Sequence, residues 1–284
     1  MNGVLIVDKP IGKTSFDIIR DVRKKYNIKK VGHIGTLDPM ASGVLPVLIG
    51  NATKLSDYLM HHDKEYIATL HLGQSTDTGD SEGSIIDEVS VSPNIFSLDN
   101  NNNYNIIQDV LNSFFGESDQ IPPMYSALKV NGKKLYELAR QGQIVDRKSR
   151  KINIYNINLL SVDKEKNEFT FSVTCSKGTY IRVLCEDIAK KLGTLGFMSS
   201  LKRTRVGNFK IEDSGKFIDL KDIFPDIPNI KVSNLDKLVN GISLKDSSLI
   251  NYSGLCNLFY NNNFIGIGEA NNGTYKRKIL TLEN

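Results

Sequence analysis

The sequence predicts an α+β fold. Segments rich in β-forming residues recur along the chain, one of them with a strict period of two, and helical segments lie between them. The composition, 40% hydrophobic and 24% charged, is that of an ordinary globular protein and argues against a fibrous or wholly disordered chain. With 284 residues, the chain can form one large domain or two smaller ones.

The N-terminal part of the chain carries three strand signals and one helix signal. Short runs of β-forming residues predict strands over residues 4–7, 44–49 and 66–72. A helix is predicted over residues 15–26, with Ser15 as its N-cap.

Two segments have no pattern of regular structure. Residues 73–83 are polar, and residues 97–105 are rich in asparagine, so we predict surface loops there. After about residue 225 new turn signals and short apolar runs predict a small C-terminal unit.

A strand, a turn and a helix follow one another in the second half. Alternating apolar and polar residues predict a strand with one buried face over residues 169–175. Apolar residues at helical spacing predict a helix over residues 181–192, which Gly193 would end. This order places Tyr180 and Arg182 at the start of a helix.

Charge and cysteine content limit the classes of function. The net charge of +4 is too mild to identify a nucleic-acid binder. Cys175, Cys185 and Cys256 fit neither a disulfide framework nor a four-cysteine zinc site, so a reducing cytoplasm is the simplest setting. Asp8 and Lys9 precede any signal-peptide core, and no apolar run reaches about 18 residues. We therefore expect a cytoplasmic chain without a membrane segment.

Several short motifs match known chemistry without its context. Asp77-Thr78-Gly79 matches the aspartic-protease tripeptide, but that chemistry needs two aspartates, and a solvated loop is the simpler interpretation. Residues 79–83 spell G-x-S-x-G, yet no apolar strand leads into them. The four histidines lack a metal-ligand spacing, and no phosphate-binding glycine motif is present. We therefore expect an activity without metal or cofactor.

The most informative segment is residues 31–50, VGHIGTLDPMASGVLPVLIG. Taken alone, Asp38-Pro39 in this segment is most simply a turn. In its context, residues 32–46 resemble the signature G-H-x-G-[AT]-L-D-P-x-A-[ST]-G-V-L-P of the TruB family of pseudouridine synthases.

Further segments resemble the same family in the same order. They are VDKP at residues 7–10 with Gly12 and Ser15, Lys64-Glu65-Tyr66, CSKGTYIR at residues 175–182, and LKRTRVG at residues 201–207. Asn208 stands where proline is common in the family, and the C-terminal segment diverges. The resemblance thus covers roughly the first three quarters of the chain.

The resemblance implies the isomerisation of uridine to pseudouridine, in which the N1–C1′ bond breaks, the base rotates and C5 joins C1′. Asp38 is the implied nucleophile. Whether it attacks C1′ or C6, or abstracts a proton, stays open. Arg182 is implied to keep Asp38 ionised, whereas taken alone it would be a surface arginine at a helix start.

The resemblance also implies residues that bind the substrate. Tyr66 would stack on the target base and accept the C5 proton, Tyr180 would line the pocket, and Leu201 would form an apolar wall. His33 would enter the RNA loop and fill the space left by the flipped nucleotide, and Lys9 would also contact substrate. Taken alone, the tyrosines and Leu201 would be packing residues and His33 a loop residue.

A local basic patch lies at residues 129–151, where the family has an RNA-gripping thumb, here residues 122–142. RNA recognition at loops depends on phosphate contacts, so we expect four basic residues of this patch to bind RNA. They are Lys129, Lys133, Lys134 and Arg140. The alternative is a solvated charged face.

The resemblance implies a pseudouridine synthase fold with a mixed, largely antiparallel sheet and a central RNA-binding cleft. We expect residues 1–225 to form the catalytic domain and residues 226–284 a small C-terminal domain of uncertain role. The expected reaction is at uridine 55 in the T loop of tRNA, by a monomer that binds the T arm. Two alternatives stay open, a tRNA-binding chaperone in which catalysis is secondary and a pseudouridine synthase that acts on another RNA.

Overall fold

The computed structural model describes residues 1–60, 62–99, 103–126, 128–130 and 132–281. Within these ranges the chain has six α-helices and nineteen strands. The helices are α1 (Ser15–Tyr26), α2 (Ser56–Met60), α3 (Asn105–Asn112), α4 (Leu135–Ala139), α5 (Ile181–Lys191) and α6 (Leu235–Val239). The strands are β1 (Gly3–Lys9), β2 (Val31–His33), β3 (Ser42–Ile49), β4 (Lys64–Leu72), β5 (Gln74–Thr76), β6 (Ile85–Glu88), β7 (Gly116–Gln120), β8 (Lys129–Val130), β9 (Lys133–Lys134), β10 (Arg150–Asp163), β11 (Glu168–Cys175), β12 (Gly196–Val206), β13 (Phe209–Lys210), β14 (Phe217–Asp219), β15 (Asn229–Lys231), β16 (Leu244–Lys245), β17 (Ser253–Tyr260), β18 (Asn263–Asn271) and β19 (Thr274–Leu280).

The first sheet has ten strands, in the order β14-β1-β3-β12-β4-β11-β10-β7, with β2 beside β3 and β13 beside β12. Its pairs are antiparallel except for β3 and β12, which run parallel where Ser42 and Gly43 face Lys202 and Arg203. The mixed, largely antiparallel sheet expected from the sequence is confirmed.

The helix predicted over residues 15–26 is α1, but the predicted N-cap is wrong. Thr14 is the N-cap: its hydroxyl accepts a hydrogen bond from the backbone N of Asp17 at 3.1 Å, and the Asp17 carboxylate accepts one from the backbone N of Thr14 at 2.8 Å. The Ser15 side chain is buried and bonds instead with the backbone of Leu37, donating to its O at 3.1 Å and accepting from its N at 2.9 Å. It therefore ties α1 to the loop that contains Asp38.

The prediction of a structureless loop over residues 73–83 is wrong in part. β5 begins at Gln74 and pairs with β6 in an antiparallel hairpin, although every residue of β6 is exposed. The strand that falls within this segment, β5, has three polar residues, and its one buried residue is Thr76, so it has no apolar periodicity that would predict it. In the segment 97–105, Asn105 begins α3, and residues 100–102 lie outside the described residues.

The core follows the predicted alternation. Phe169, Phe171, Val173 and Cys175 of β11 are buried and pack with the apolar face of α5, while the residues between them are partly exposed. A separate cluster packs Ile18 and neighbouring residues of α1 on β1 and β3.

The second sheet has five strands, in the order β15-β17-β18-β19-β16. It has its own apolar cluster, but Leu255, Ile267 and Ile279 join a cluster that contains Val4 and Ile6 of the first sheet. The division of the chain into domains at residue 225 stays a prediction. Among the described residues, no helix has the length and apolar character needed to cross a bilayer.

We expect Gly43→Ala to reduce the free energy of unfolding by at least about 3 kcal/mol, measured by urea denaturation. Gly43 has a φ of +107°, and a Cβ there would lie 2.1 Å from the backbone O of Arg203. The control is Gly142→Ala, where φ is +69° but nothing lies within 4 Å of the new Cβ. The free energy of unfolding of this control should fall by only about 1 kcal/mol, because the positive φ is its only source of strain. Equal losses of stability in both variants would show that β3 and β12 can move apart at Gly43 without a cost in free energy.

Candidate active site

One cavity of about 420 Å³ lies between the loop that precedes β3, the start of α5 and the strands β4 and β12. Asp38, Tyr66, Tyr180, Arg182 and Leu201, which the sequence places at the site, all line it. Its volume lies in the range of ligand-binding sites. A neighbouring pocket of about 410 Å³ shares Asp38 and Arg182 with it.

The loop that contains Asp38 is held by its own buried residues. Leu37 and Ala41 are buried on either side of the aspartate, and the backbone N of Ala41 donates to the backbone O of Asp38 at 3.1 Å. The Asp38 side chain remains 40% exposed. A fixed backbone thus presents a carboxylate that a ligand can reach.

Arg182, the second residue of α5, is the central cation of the site, and its side chain is only 7% exposed. Its Nη2 lies 3.2 Å from Oδ2 of Asp38, and its Nη1 lies 3.2 Å from Oδ2 of Asp80. The same two nitrogens donate to the backbone O of Tyr125 at 2.7 Å and of Thr78 at 3.1 Å. Arg182 therefore has two carboxylates and two carbonyls as partners.

Asp80 is a site residue that the sequence interpretation missed, because the polar segment around it was taken for a solvated loop. Its side chain is only 5% exposed. Its Oδ1 accepts hydrogen bonds from the hydroxyl of Thr78 at 2.7 Å and the backbone N of Glu82 at 3.1 Å. The loop is fixed to β12 by backbone bonds between Met198 and its neighbours on either side of Asp80. A run of polar turn formers gives no signal that one of them is buried.

Two carboxylates share one guanidinium, so the Asp38–Arg182–Asp80 group has a net negative charge. Glu82 lines the neighbouring pocket, where burial raises its pKa and the charges of Asp80 and Asp38 raise it further. The negative wall of the site is therefore formed by the loops of Asp38 and Asp80.

The two tyrosines occupy apolar surroundings. Tyr66 lies in β4, and burial raises its pKa to about 12, with Arg203 acting in the opposite direction. Tyr180 is the N-cap residue of α5, and burial raises its pKa as well. The Gln120 side-chain amide clamps the Tyr180 backbone, accepting from its N at 2.8 Å and donating to its O at 3.1 Å. Both rings are therefore neutral phenols at pH 7, suited to stacking on a base.

The structure does not place Lys9 or His33 among the residues that line the cavity. Lys9 is fully buried, and its Nζ donates to the carbonyls of Pro10 at 2.9 Å, Lys13 at 2.6 Å and Pro39 at 3.3 Å. Through its bond to Pro39, Lys9 therefore holds the backbone of the Asp38 loop from the interior of the protein. His33 ends β2, and burial lowers its pKa.

The thumb expected at residues 122–142 meets the site through Tyr125, whose carbonyl accepts from Arg182. Lys133 and Arg140 are exposed, and the Arg140 guanidinium lies 5.6 Å from the centre of the Tyr136 ring at the neighbouring pocket. The side chains of Lys129 and Lys134 lie outside the described part of the structure.

Lys64 and Arg203 are two buried cations at the same cavity that the sequence interpretation did not assign a role. The Nζ of Lys64 donates to the carbonyl of His62 at 2.7 Å. Burial lowers its pKa to about 8, and the charge of Arg203 contributes in the same direction. The positions of these two residues in the sequence do not predict that they are buried, because lysine and arginine side chains are mostly exposed in folded proteins.

A larger, open cavity of about 760 Å³ lies at the other end of β4, around His71, Glu88 and Glu168. None of its described lining residues is an arginine, a tyrosine or an aspartate. It therefore does not have the residues that the cavity at Asp38 brings together.

The fold is similar to that of a chain in a solved H/ACA ribonucleoprotein bound to a substrate RNA containing 2′-deoxyuridine. The TM-score is 0.66, the identity 22%, and the match covers 99% of this chain and 85% of that chain. The pseudouridine synthase fold expected from the sequence is confirmed by this likeness.

Family and sequence comparisons agree with the fold. Residues 23–181 match the family described as TruB family pseudouridylate synthase (N terminal domain), and residues 182–242 match the tRNA pseudouridylate synthase B C-terminal domain. The chain is 45% identical to tRNA pseudouridine synthase B of Clostridium kluyveri and 43% identical to that of Caldanaerobacter subterraneus, in both cases over 99% of each chain. The chain belongs to the TruB family of pseudouridylate synthases.

We expect Lys64→Met to change how the free energy of unfolding depends on pH. The folded chain releases the Lys64 proton near pH 8, whereas the unfolded chain keeps it until about pH 10.5. The unfolded state therefore binds more protons in that interval, and the wild-type chain gains stability from this group as the pH rises through it. Between pH 7 and pH 10, the free energy of unfolding of the wild type should therefore rise by about 2 kcal/mol relative to that of Lys64→Met. Urea denaturation of both proteins measures this difference.

The control for this prediction is Lys190→Met, at an exposed lysine in the last turn of α5. Its difference from the wild type should stay constant over the same pH range. A constant difference for Lys64→Met as well would contradict a buried amine with a lowered pKa.

Proposed function

We propose that this chain isomerises uridine to pseudouridine at position 55 in the T loop of tRNA, with Asp38 as the nucleophile. The observation that carries the proposal is the accessible Asp38 carboxylate, 3.2 Å from a buried arginine in a cavity that Tyr66 and Tyr180 also line. The substrate class is supported by the relatives at 43–45% identity, which are tRNA pseudouridine synthases.

Asp38 has the environment that a carboxylate nucleophile needs. The Arg182 guanidinium pairs with it at 3.2 Å, and the second carboxylate on Arg182, Asp80, keeps the guanidinium oriented. If Asp38 attacks C1′, the new O–C1′ bond replaces the N1–C1′ bond, uracil leaves as an anion and rotates, and C5 then displaces the carboxylate. If it attacks C6, the O–C6 bond forms as the C5=C6 π bond opens, the N1–C1′ bond breaks and C5 bonds to C1′. The carboxylate then leaves C6 as C5 loses its proton and the C5=C6 bond is restored. In both routes C5 loses a proton, N1 gains one, and the composition of the RNA is unchanged.

Tyr66 is the proposed acceptor of the C5 proton. With its pKa raised to about 12, its phenolate is scarce at neutral pH, so the hydroxyl must pass its own proton on or be stabilised as an anion. Its ring and Leu201 provide surfaces on which the base can stack.

The target base must leave its stack before Asp38 can reach it, at a cost of a few kcal/mol. We propose that residues 122–142 hold the RNA while this happens, through Lys133 and Arg140 and, by sequence, Lys129 and Lys134. The catalytic domain would comprise residues 1–225, and residues 226–284 would form a small C-terminal domain. Two further predictions from the sequence are that the chain acts as a monomer and that it acts in the cytoplasm.

A single-turnover assay on unmodified tRNA transcripts, with chemical mapping of pseudouridine, tests the proposal. Product at the T-loop uridine alone is the expected result. Tight tRNA binding without product would favour the chaperone alternative. Product only in other RNAs would favour a synthase with another substrate.

We expect Asp38→Asn to lower the single-turnover rate by at least about 1000-fold, because the amide cannot form the bond that the carboxylate forms. The dissociation constant for tRNA should stay within about tenfold, since Arg182 keeps Asp80 as its partner. Asp226→Asn, at an exposed aspartate, is the control and should retain full activity. Retained turnover in Asp38→Asn would exclude Asp38 as the nucleophile.

We expect the double variant Lys133→Glu/Arg140→Glu to bind tRNA more weakly and with a flatter dependence on salt, because fewer counterions are released from RNA phosphates. The measurement is the dissociation constant at several salt concentrations. The double variant Lys190→Glu/Lys191→Glu, at two exposed lysines in the last turn of α5, is the charge-matched control and should leave the slope unchanged. An unchanged slope in the thumb variant would place the phosphates elsewhere.

A further inference from the structure

Arg203 is the largest of the fully buried side chains, at 1% exposure, and it lies on β12 against the catalytic cavity. Among the described residues, no carboxylate forms an ion pair with it. Burying an unpaired charge costs several kcal/mol unless hydrogen bonds replace its hydration. The groups that accept hydrogen bonds from the guanidinium therefore indicate the role of Arg203.

Three of those partners are carbonyls of the segment that contains Asp38. Nε donates to the carbonyl of Val44 at 2.8 Å, Nη2 to Gly35 at 3.0 Å, and Nη1 approaches Thr36 at 3.5 Å. Gly35 and Val44 lie on either side of Asp38 in the chain. One planar group thus fixes both ends of the loop that presents the nucleophile.

Two glycines allow the Asp38 segment to pack closely against Arg203. Gly35 has a φ of +75°, and a Cβ there would lie 3.2 Å from Nη1 of Arg203 and 3.4 Å from Cε of Lys64. At the other end of the segment Gly43 contacts the backbone of Arg203. Glycine at both positions lets the Asp38 loop lie directly on the arginine.

Tyr66 is the neighbour of Arg203 on the next strand. The two residues are directly paired across β12 and β4, and both line the cavity. The charge of Arg203 opposes the rise that burial causes in the pKa of Tyr66. The same cation thereby contacts the strand of the proposed proton acceptor and the loop of the proposed nucleophile.

We propose that Arg203 is a positioning residue for the isomerisation, whose guanidinium sets the Asp38 loop and Tyr66 relative to each other. This inference rests on the proposed function, because it assigns Asp38 and Tyr66 to one reaction. An ammonium cannot replace the guanidinium, since it lacks the planar fork that reaches separate acceptors at once. Arg182 pairs with Asp38 and Asp80 and donates to the carbonyls of Thr78 and Tyr125, and it shares none of these partners with Arg203.

The test compares Arg203→Lys and Arg203→Met with the wild type. We measure the melting temperature, the dissociation constant for an unmodified tRNA transcript, and the single-turnover rate of pseudouridine formation below every variant's melting transition. Arg205→Lys is the matched control, on the same strand but partly exposed and 3.5 Å from Glu65. It should keep the wild-type rate within about twofold.

We expect Arg203→Lys to lower the rate about 100-fold while the dissociation constant stays within about threefold, because misplacing reacting groups by about 1 Å costs a factor of that size. Arg203→Met should be slower still. If Arg203→Met does not fold, Arg203→Lys carries the test. A rate that falls only in proportion to lost binding or lost folded protein, or two variants that both fail to fold, would overturn the inference in favour of a purely structural arginine.

Two further outcomes separate this inference from the proposed function. Wild-type rates in folded Arg203 variants, with an active wild type, would overturn the inference and leave the proposed function intact. No pseudouridine from the wild type and Arg205→Lys would overturn both.

Discussion

The site depends on the guanidinium of Arg182, held between Asp38 and Asp80. A buried arginine is stable only when its charge is compensated and its donors are bonded, and removal of one partner leaves an uncompensated charge. The partners of Arg182 come from the Asp38 loop, the Asp80 loop and the segment that contains Tyr125, while Arg182 itself lies in the first turn of α5. Four segments that are distant in sequence are therefore fixed by the requirement to satisfy one side chain.

The strand order brings the remaining groups to the same place. β12 lies between β3 and β4, parallel to the first and antiparallel to the second. In this register Gly43, Arg203 and Tyr66 form one row across three strands. The parallel pair of β3 and β12 is essential to this row, because it sets the start of β3, just after the Asp38 loop, beside the C-terminal half of β12.

Local features of the chain were predictable from residue patterns, whereas the long-range grouping of Asp38, Tyr66 and Arg182 was predicted only from the family resemblance. The period of two in β11 and the apolar stripe of α5 are local patterns, and the structure has both elements. Asp80 and Arg203 became site residues only through partners far along the chain, and neither has a periodic signal. The Thr14 cap shows the same limit at short range: both Thr14 and Ser15 suit an N-cap, and the contact between Ser15 and Leu37 decided between them.

The distribution of charge within the site, rather than the net charge, is what the fold determines. Asp38 and Asp80 both pair with Arg182, whereas Arg203 on β12 and Lys64 on β4 donate to backbone carbonyls. Neither arrangement is visible in a net charge of +4, to which these five side chains contribute only +1. The carboxylates lie on loops and the latter two cations on adjacent central strands, so a ligand in the cavity meets the Asp38 carboxylate and both of these cations at once.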